Sequence, residues 1–198
     1  MDTSGSPNNT SRFIILLPHR DAGRILDEYR NKLFCAGFFG AYSLPPAAFL
    51  AEILQPFSRR ELRELAVNIR GLTQKNDGII RTFGVTIHSF PSGIFTERSF
   101  LGLPLTPPPD EEEFRSAFPK EAGRKIIRFI FPAAVCAALE NSAEIPKKIP
   151  NSEEAPSLSF RAASLANLAI RPFPSAEKGY SFEWKIGYPV WLPAHKGH

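Results

Sequence analysis

An unbroken apolar run, Arg12 to Leu17 (RFIILL), opens the hydrophobic pattern and predicts a strand buried on both faces. Pro18 ends the run, and Asp21 is placed to cap a helix reaching about Ala36. Ile25, Tyr29 and Leu33 recur in that helix at i, i+4 and i+8, which aligns them as one apolar stripe. Gly37 supplies its stop. Between Phe38 and Ile53 small and aromatic residues surround Pro45-Pro46, which predicts two short extended pieces. The next helix is the best marked. Ser58 and Glu61 have capping-box spacing, in which the hydroxyl accepts from an early amide and the carboxylate reaches back to the cap amide. Leu62, Leu65, Ala66 and Ile69 form its buried face, and Gly71 is expected to close it.

Asp77-Gly78 predicts a turn. Ile79 to Phe90 and Phe95 to Leu105 then read as strands joined through Pro91-Ser92-Gly93. After the triple proline at 107–109, Asp110 and Glu113 repeat the cap-and-carboxylate spacing and predict a short helix over 111–118, packing through Phe114, Ala117 and Phe118. The apolar block IIRFIFPAAVCAAL contains a proline that argues against a helix. It fits two extended pieces or a strand into a turn. Residues 140–157 are polar and proline-rich and read as an exposed connection. Leu158 to Ile170 alternates imperfectly, as a strand covered on both faces does. Tyr180, Phe182, Trp184 and Ile186 alternate cleanly with Ser181, Glu183 and Lys185, which predicts a strand buried on one face. The element order predicts an α+β fold with a mainly antiparallel sheet.

The chain has 198 residues, enough for one domain with a core that needs no disulfide or metal. We expect a disordered segment at 1–11, a domain at 12–193 and a flexible tail at 194–198. Hydrophobic content of 43% and charged content of 22% are those of a folded globular protein. With 17 phenylalanines and one methionine, aromatic packing should dominate the core. The net charge of +4 is a weak lean towards polyanions such as RNA, and the charges are mixed, without a basic run. Cys35 and Cys136 have apolar neighbours and are expected to be buried, reduced thiols. No CxxC pattern or Cys/His cluster suggests a metal, and no cofactor is expected. The first residues lack an apolar signal core, and no apolar run is long enough to span a bilayer. The expectation is a cytoplasmic monomer with no membrane partner.

Candidate chemistry is sparse. His88 lies on a predicted strand (GVTIHSF), where it faces either the surface or a cleft. His19 belongs to a loop or helix start, and His195 and His198 to the tail. Arg128, Arg161 and Arg171 border predicted strands and are candidates for a basic cleft. Arg59, Arg60 and Arg63 fit a charged outer helix face. The Asp110 to Glu113 run fits a solvated helix start, where anions are favoured. Phosphate-loop and nucleophile-elbow patterns are absent. Phe38, Phe39, Tyr42 and the proline pair belong either to the core or to an apolar patch for a protein partner.

Three stretches carry a resemblance: RFIILLP with the helix after it, SLPPAAFLAEILQPFSRRELRELAVNIRG, and SFRAASLANLAIRPFPSAEKGYSFEWKIGYPVWLP. Together they resemble the 2H phosphoesterase and 2'-5' RNA ligase-like superfamily over about half the chain. The resemblance implies two similar lobes around a central cleft, with helices outside. Each lobe of that family supplies one His-x-Thr or His-x-Ser motif. One histidine takes a proton from the attacking oxygen and the other gives one to the leaving oxygen. Carried onto this sequence, the first motif falls on Ala47 and Phe49, or on Ala48 and Leu50 if shifted by one. The second falls on Ala133 and Val135, or on Ala134 and Cys136 if shifted. Neither half has an imidazole, and alanine, valine and phenylalanine side chains offer phosphate no hydrogen bond. The expectation is therefore a family scaffold without the family's catalysis, holding a nucleotide or RNA end in its cleft through His88, Arg128, Arg161 or Arg171. The alternatives are a protein-interaction module on the same scaffold, or a phosphoesterase with relocated groups that uses His88.

Overall fold

The computed structural model describes residues 10–74, 80–82, 84–89, 95, 97–106, 110–149, 155–160, 163–172 and 182–193. In chain order the elements are β1 (Ser11–Pro18), α1 (Arg20–Cys35), β2 (Ala48–Ile53), α2 (Arg59–Gln74), β3 (Ile80–Thr82), β4 (Thr86–Ser89) and β5 (Arg98–Thr106). They continue with α3 (Glu111–Ser116), β6 (Ile126–Asn141), α4 (Ile145–Lys148), β7 (Ser159–Phe160), β8 (Ala163–Pro172), β9 (Phe182–Ile186) and β10 (Val190–Trp191). The strands form one sheet in the order β10-β8-β1-β2-β6-β5-β3-β7. β9 adds to the far end of β8, and β4 to β5. The pairings are antiparallel. The fold is thus α+β, with a mainly antiparallel open sheet and few helices. Among the described residues no helix is long and apolar enough to cross a membrane.

Local chemistry accounts for most boundaries. β1 starts at Ser11, paired with Ile170, so Ser11, expected in the N-terminal segment, belongs to the sheet. α1 starts after His19 rather than Asp21. His19 is extended and caps without its side chain, while Asp21 sits in the first turn beside the positive end of the helix dipole. Gly37 ends the helix as expected, with φ +94°, a conformation glycine adopts without steric cost. The first of the two extended pieces expected after Phe38 is instead a 3-10 turn at Phe39–Tyr42. Buried Arg30 holds it: the guanidinium donates to the Ala41 carbonyl and, at 2.6 Å, to that of Leu44.

The capping box of α2 forms as expected. The Ser58 amide donates to Glu61 Oε2 at 2.6 Å, and the Glu61 amide donates to Ser58 Oγ at 3.3 Å. The helix continues past Gly71 to Gln74. A glycine inside a helix costs about 1 kcal/mol relative to alanine, which weakens a helix without ending it. The predicted Ile79 to Phe90 strand is divided into β3 and β4 around Gly84, whose φ is +73°. Asp110 caps α3 by accepting from the Glu112 and Glu113 amides. That helix stops at Ser116, yet Phe114, Ala117 and Phe118 are all buried as expected. The stretch expected to be an exposed connection contributes buried Ile145 at the start of α4. Trp184 departs from its predicted burial. It is 41% exposed because β9 is an edge strand, while Phe182 and Ile186 pack against the core; Tyr180 and Ser181 of the predicted strand lie outside the described residues.

The sheet separates two cores. One face is covered by helices: Leu26 and Leu33 of α1, Leu62 and Leu65 of α2 and Phe114 of α3 pack on Ile14, Leu16, Leu50, Val135 and their neighbours. The other face carries a cluster without α-helical members among the described residues, built on Phe13, Phe49, Phe95 and Phe100. Its rings meet edge-on or tilted, with centroids 5.2 Å apart for Phe13 and Phe49, 6.0 Å for Phe13 and Phe95 and 5.9 Å for Phe49 and Phe100. These geometries suit the ring quadrupole. Cys136 is buried in this second cluster, whereas Cys35 is exposed at the end of α1, against expectation.

Candidate functional site

The helix-free face is where the resemblance would put chemistry, and two irregularities shape it, the first of which decides which residues reach it. In the β1–β2 ladder Ile14 pairs with Ala51 and Ile15 with Phe49, so β2 carries one extra residue. Such a bulge sends two consecutive side chains to the same side. Leu50 and Ala51 accordingly both join the helix-covered core. Ala47 and Phe49 lie in the helix-free cluster. Glu52, paired opposite Phe13, shares that face.

The second irregularity is in β6. Phe49 pairs with Ala134 and Ala51 with Phe129, so residues 130–133 stand opposite Leu50 alone. Pro132, which has no amide hydrogen for a ladder, lies within this excursion. The apolar block expected to be two extended pieces is thus a single strand whose pairing is interrupted.

Side chains of β6 nevertheless alternate through this excursion, and the alternation sets the faces of the second pair of motif positions. Ala133 and Val135 belong to the helix-covered core, so they do not meet Ala47 and Phe49. The one-residue shift does. Ala134 pairs with Phe49, and the Cys136 amide donates to the Ala47 carbonyl at 3.0 Å. All four of these side chains are essentially without solvent contact. Burial pushes the Cys136 thiol up to about 12, against an opposing effect of the nearby Arg30 charge, so it is neither a nucleophile nor a base. The site implied by the resemblance is dry, apolar and filled.

Beside this filled region lies a cleft of about 350 Å³. His88 of β4 and Arg128 of β6, both candidates from the sequence, line it together. Phe100 and residues 130–132 supply walls, and Thr86 and Ser89 supply hydroxyls. His88 pairs with Phe100 across the β4–β5 ladder and stacks on it, with ring centroids 4.7 Å apart and planes 12° apart. Gly102 makes room for the stack: a Cβ there would come within 2.9 Å of His88 Cδ2 and of Ala134 Cβ. The far end of β4 is tied by hydroxyls, with Ser89 Oγ 3.2 Å from Ser99 Oγ and Ser99 Oγ 2.9 Å from Ser142 Oγ.

Two electrostatic facts define the cleft. Burial lowers the His88 pKa to about 4, so the imidazole is neutral at pH 7. Its Nε2 is buried without a hydrogen-bond partner among the described residues. Arg128 is not a free cation, because its Nη2 lies 2.7 Å from Glu52 Oε2. Burial raises the pKa of Glu52, and the Arg128 charge opposes the rise.

The remaining candidates lie elsewhere. Arg171 pairs on the surface with Glu183 across the β8–β9 ladder, at 2.6 Å and 2.8 Å, and does not line the cleft. Arg161, His195 and His198 lie outside the described residues, as do 75–79, 90–94 and the triple proline. His19 makes an edge contact with Trp191, with ring centroids 5.7 Å apart. Phe38 is core, whereas Phe39 and Tyr42 are exposed and form a surface cluster with Phe34, at centroid distances of 5.8 and 6.2 Å. Among the described residues no group of three or more His, Cys, Asp or Glu is placed to hold a metal ion.

Glu52 was not legible as a site residue. Simple alternation puts it opposite Phe49, and only the bulge brings both to one face. Its one signal is a carboxylate in the otherwise apolar strand AFLAEI, which calls for a buried partner. Comparison of the chain with family models, with curated proteins and with solved structures finds no match.

Proposed function

We propose that the chain is a non-catalytic protein built on a 2H phosphoesterase-like scaffold of two lobes, binding a nucleotide or RNA end in the cleft between them. The observation that carries this reading is the filling of the motif positions. Phe49 stands where the family would place a phosphate-holding hydroxyl, and its ring packs against Phe13 and Phe100. Losing one acid–base group costs about 10²–10⁴ in rate, and here both positions lack one. A cleft lined by His88 and Arg128 on the same face of the sheet supports a binding role.

A phosphoesterase using His88 instead is disfavoured. With a pKa of about 4, only on the order of one His88 in a thousand carries a proton at pH 7, so it is a poor general acid. The protein-interaction alternative has its own support in exposed Phe34, Phe39 and Tyr42.

The test is to incubate the full chain with 2',3'-cyclic nucleotides and 2'-5'-linked oligonucleotides, and to measure binding of the same compounds by calorimetry. Binding without turnover is expected. Turnover that disappears in His88→Gln would transfer the chain to the relocated-group reading. Absence of binding, with loss of self-association in Phe39→Ser, would favour the interaction module.

A further inference from the structure

We infer that the cleft takes the uncharged ring end of its ligand, a purine, a pyrimidine or a similar flat heterocycle, and leaves any phosphate outside. This rests on the reading of the cleft as a ligand site and specifies which chemistry enters it.

Charge is the first argument. The cleft's cation, Arg128, is already matched by Glu52 at 2.7 Å, and both side chains are largely buried, at 22% and 8% exposure. A phosphate seeking Arg128 would meet the Glu52 carboxylate at close range. Separating the pair instead would leave a buried charge uncompensated, a strongly unfavourable outcome. A neutral ligand incurs neither cost.

The walls are the second argument. Phe100, Ile87, Ile130 and Pro132 are apolar, and the parallel stack of His88 on Phe100 is a flat surface built into the cleft. Flat heterocycles gain from such surfaces, because base–aromatic stacking contributes about 1–3 kcal/mol per base. Pockets for small molecules combine apolar walls with a few placed polar groups, and typically measure about 300–1,000 Å³.

Polar matching is the third. Residues 130–133 have no register partner in β2 or β5. Residues 130–132 of that stretch line the cleft, and their peptide groups comprise both donors and acceptors. Thr86 adds a hydroxyl, and His88 a neutral ring whose Nε2 lacks a partner among the described residues. Mixed neutral donors and acceptors suit the edge of a heterocyclic base, which presents both kinds. They do not suit a phosphate, which accepts only.

Calorimetric titration of the full chain with adenosine, uridine, AMP, UMP, ribose 5-phosphate and inorganic phosphate tests this. The expected result is that a nucleoside binds within about threefold of its nucleotide, which corresponds to less than one tenfold step in affinity. Binding should change little with salt, since no free charge is engaged. The two phosphate probes without a base should not compete. His88→Phe, which keeps a flat ring and removes both nitrogens, should weaken nucleoside binding by about tenfold, the equivalent of one lost hydrogen bond. If ribose 5-phosphate or phosphate binds competitively while nucleosides do not, the inference is overturned and the ligand-site reading survives. If no probe binds, the ligand-site reading itself falls, and the inference with it. The wild-type comparison decides the matter even if the variant fails to fold.

Discussion

His88 carries an electrostatic cost that can be measured. Its ring is fixed against Phe100 and its pKa is lowered by burial from 6.5 to about 4. The unfolded chain therefore binds more protons than the folded one between these values. A base with a lowered folded pKa contributes stability that is complete above about pH 6.5 and is lost as the pH falls towards 4. The full effect is at most about 3 kcal/mol. Glu61 adds a loss of the same sign at lower pH. Burial raises its pKa, but Lys125 and the Ser58 cap outweigh burial and leave the carboxyl below its usual value. The difference between wild type and His88→Gln isolates the histidine. Urea unfolding at pH 7 and pH 4.5 should show a larger loss in wild type than in the variant, and equal losses would refute the buried neutral assignment. None of this is visible at residue 88 in the sequence, where a strand histidine faces either way.

At the scale of elements, the cleft depends on how strands and helices are pinned. Asn167 of β8 holds the segment that leads into α2 through both halves of its side chain. Its Nδ2 donates to the Phe57 carbonyl and its Oδ1 accepts from the Phe57 amide, each at 2.8 Å. Asn167→Ala leaves two backbone groups without these partners, and we expect a loss of about 1–3 kcal/mol. Hydrogen exchange should show the protection loss concentrated at the start of α2. A uniform loss, or none, would contradict the pinning. A second element is β5, where Gly102 gives His88 its space. Gly102→Ala should displace the imidazole from Phe100 and shrink the cleft, since Cβ atoms do not tolerate contacts below 3.0 Å. A crystal structure of that variant with the stack unchanged would count against the steric argument.

Element identity was largely legible because its causes are local. The Ser58–Glu61 box, the Asp110 cap and Gly37 each act within a few residues, and all three form. The misreadings share a cause as well. The turn at Phe39–Tyr42 is held by Arg30, which reaches from another element. The register break in β6 arises against β2, about eighty residues earlier in sequence. These are tertiary contacts, and no local pattern encodes their partners.

For the whole molecule, the consequence is a sheet with one helix-covered face and one face closed by phenylalanine. Introducing the His-x-Thr residues of the superfamily that the sequence resembles should not introduce that superfamily's chemistry. Phe49→Thr would remove a ring packed between Phe13 and Phe100, at a cost of about 3–5 kcal/mol. Ala47→His would press an imidazole into a position with no free space. The double variant should unfold at much lower urea and show no cyclic phosphodiesterase activity. A stable, active double variant would mean that the face opens in solution and that the filled site is not its resting form.

The sequence by itself determined the α+β class, the helix caps, most buried helix faces and the absence of imidazoles at the motif positions. Each follows from residue type and short spacing, where side-chain chemistry acts directly on the neighbouring backbone. Tertiary structure alone decided which motif register shares a face with Ala47 and Phe49. It also placed Glu52 on Arg128 and joined His88 and Arg128 in one cleft. The physical reason is parity. Strand side chains alternate, so one bulged residue in β2 reverses every face assignment beyond it.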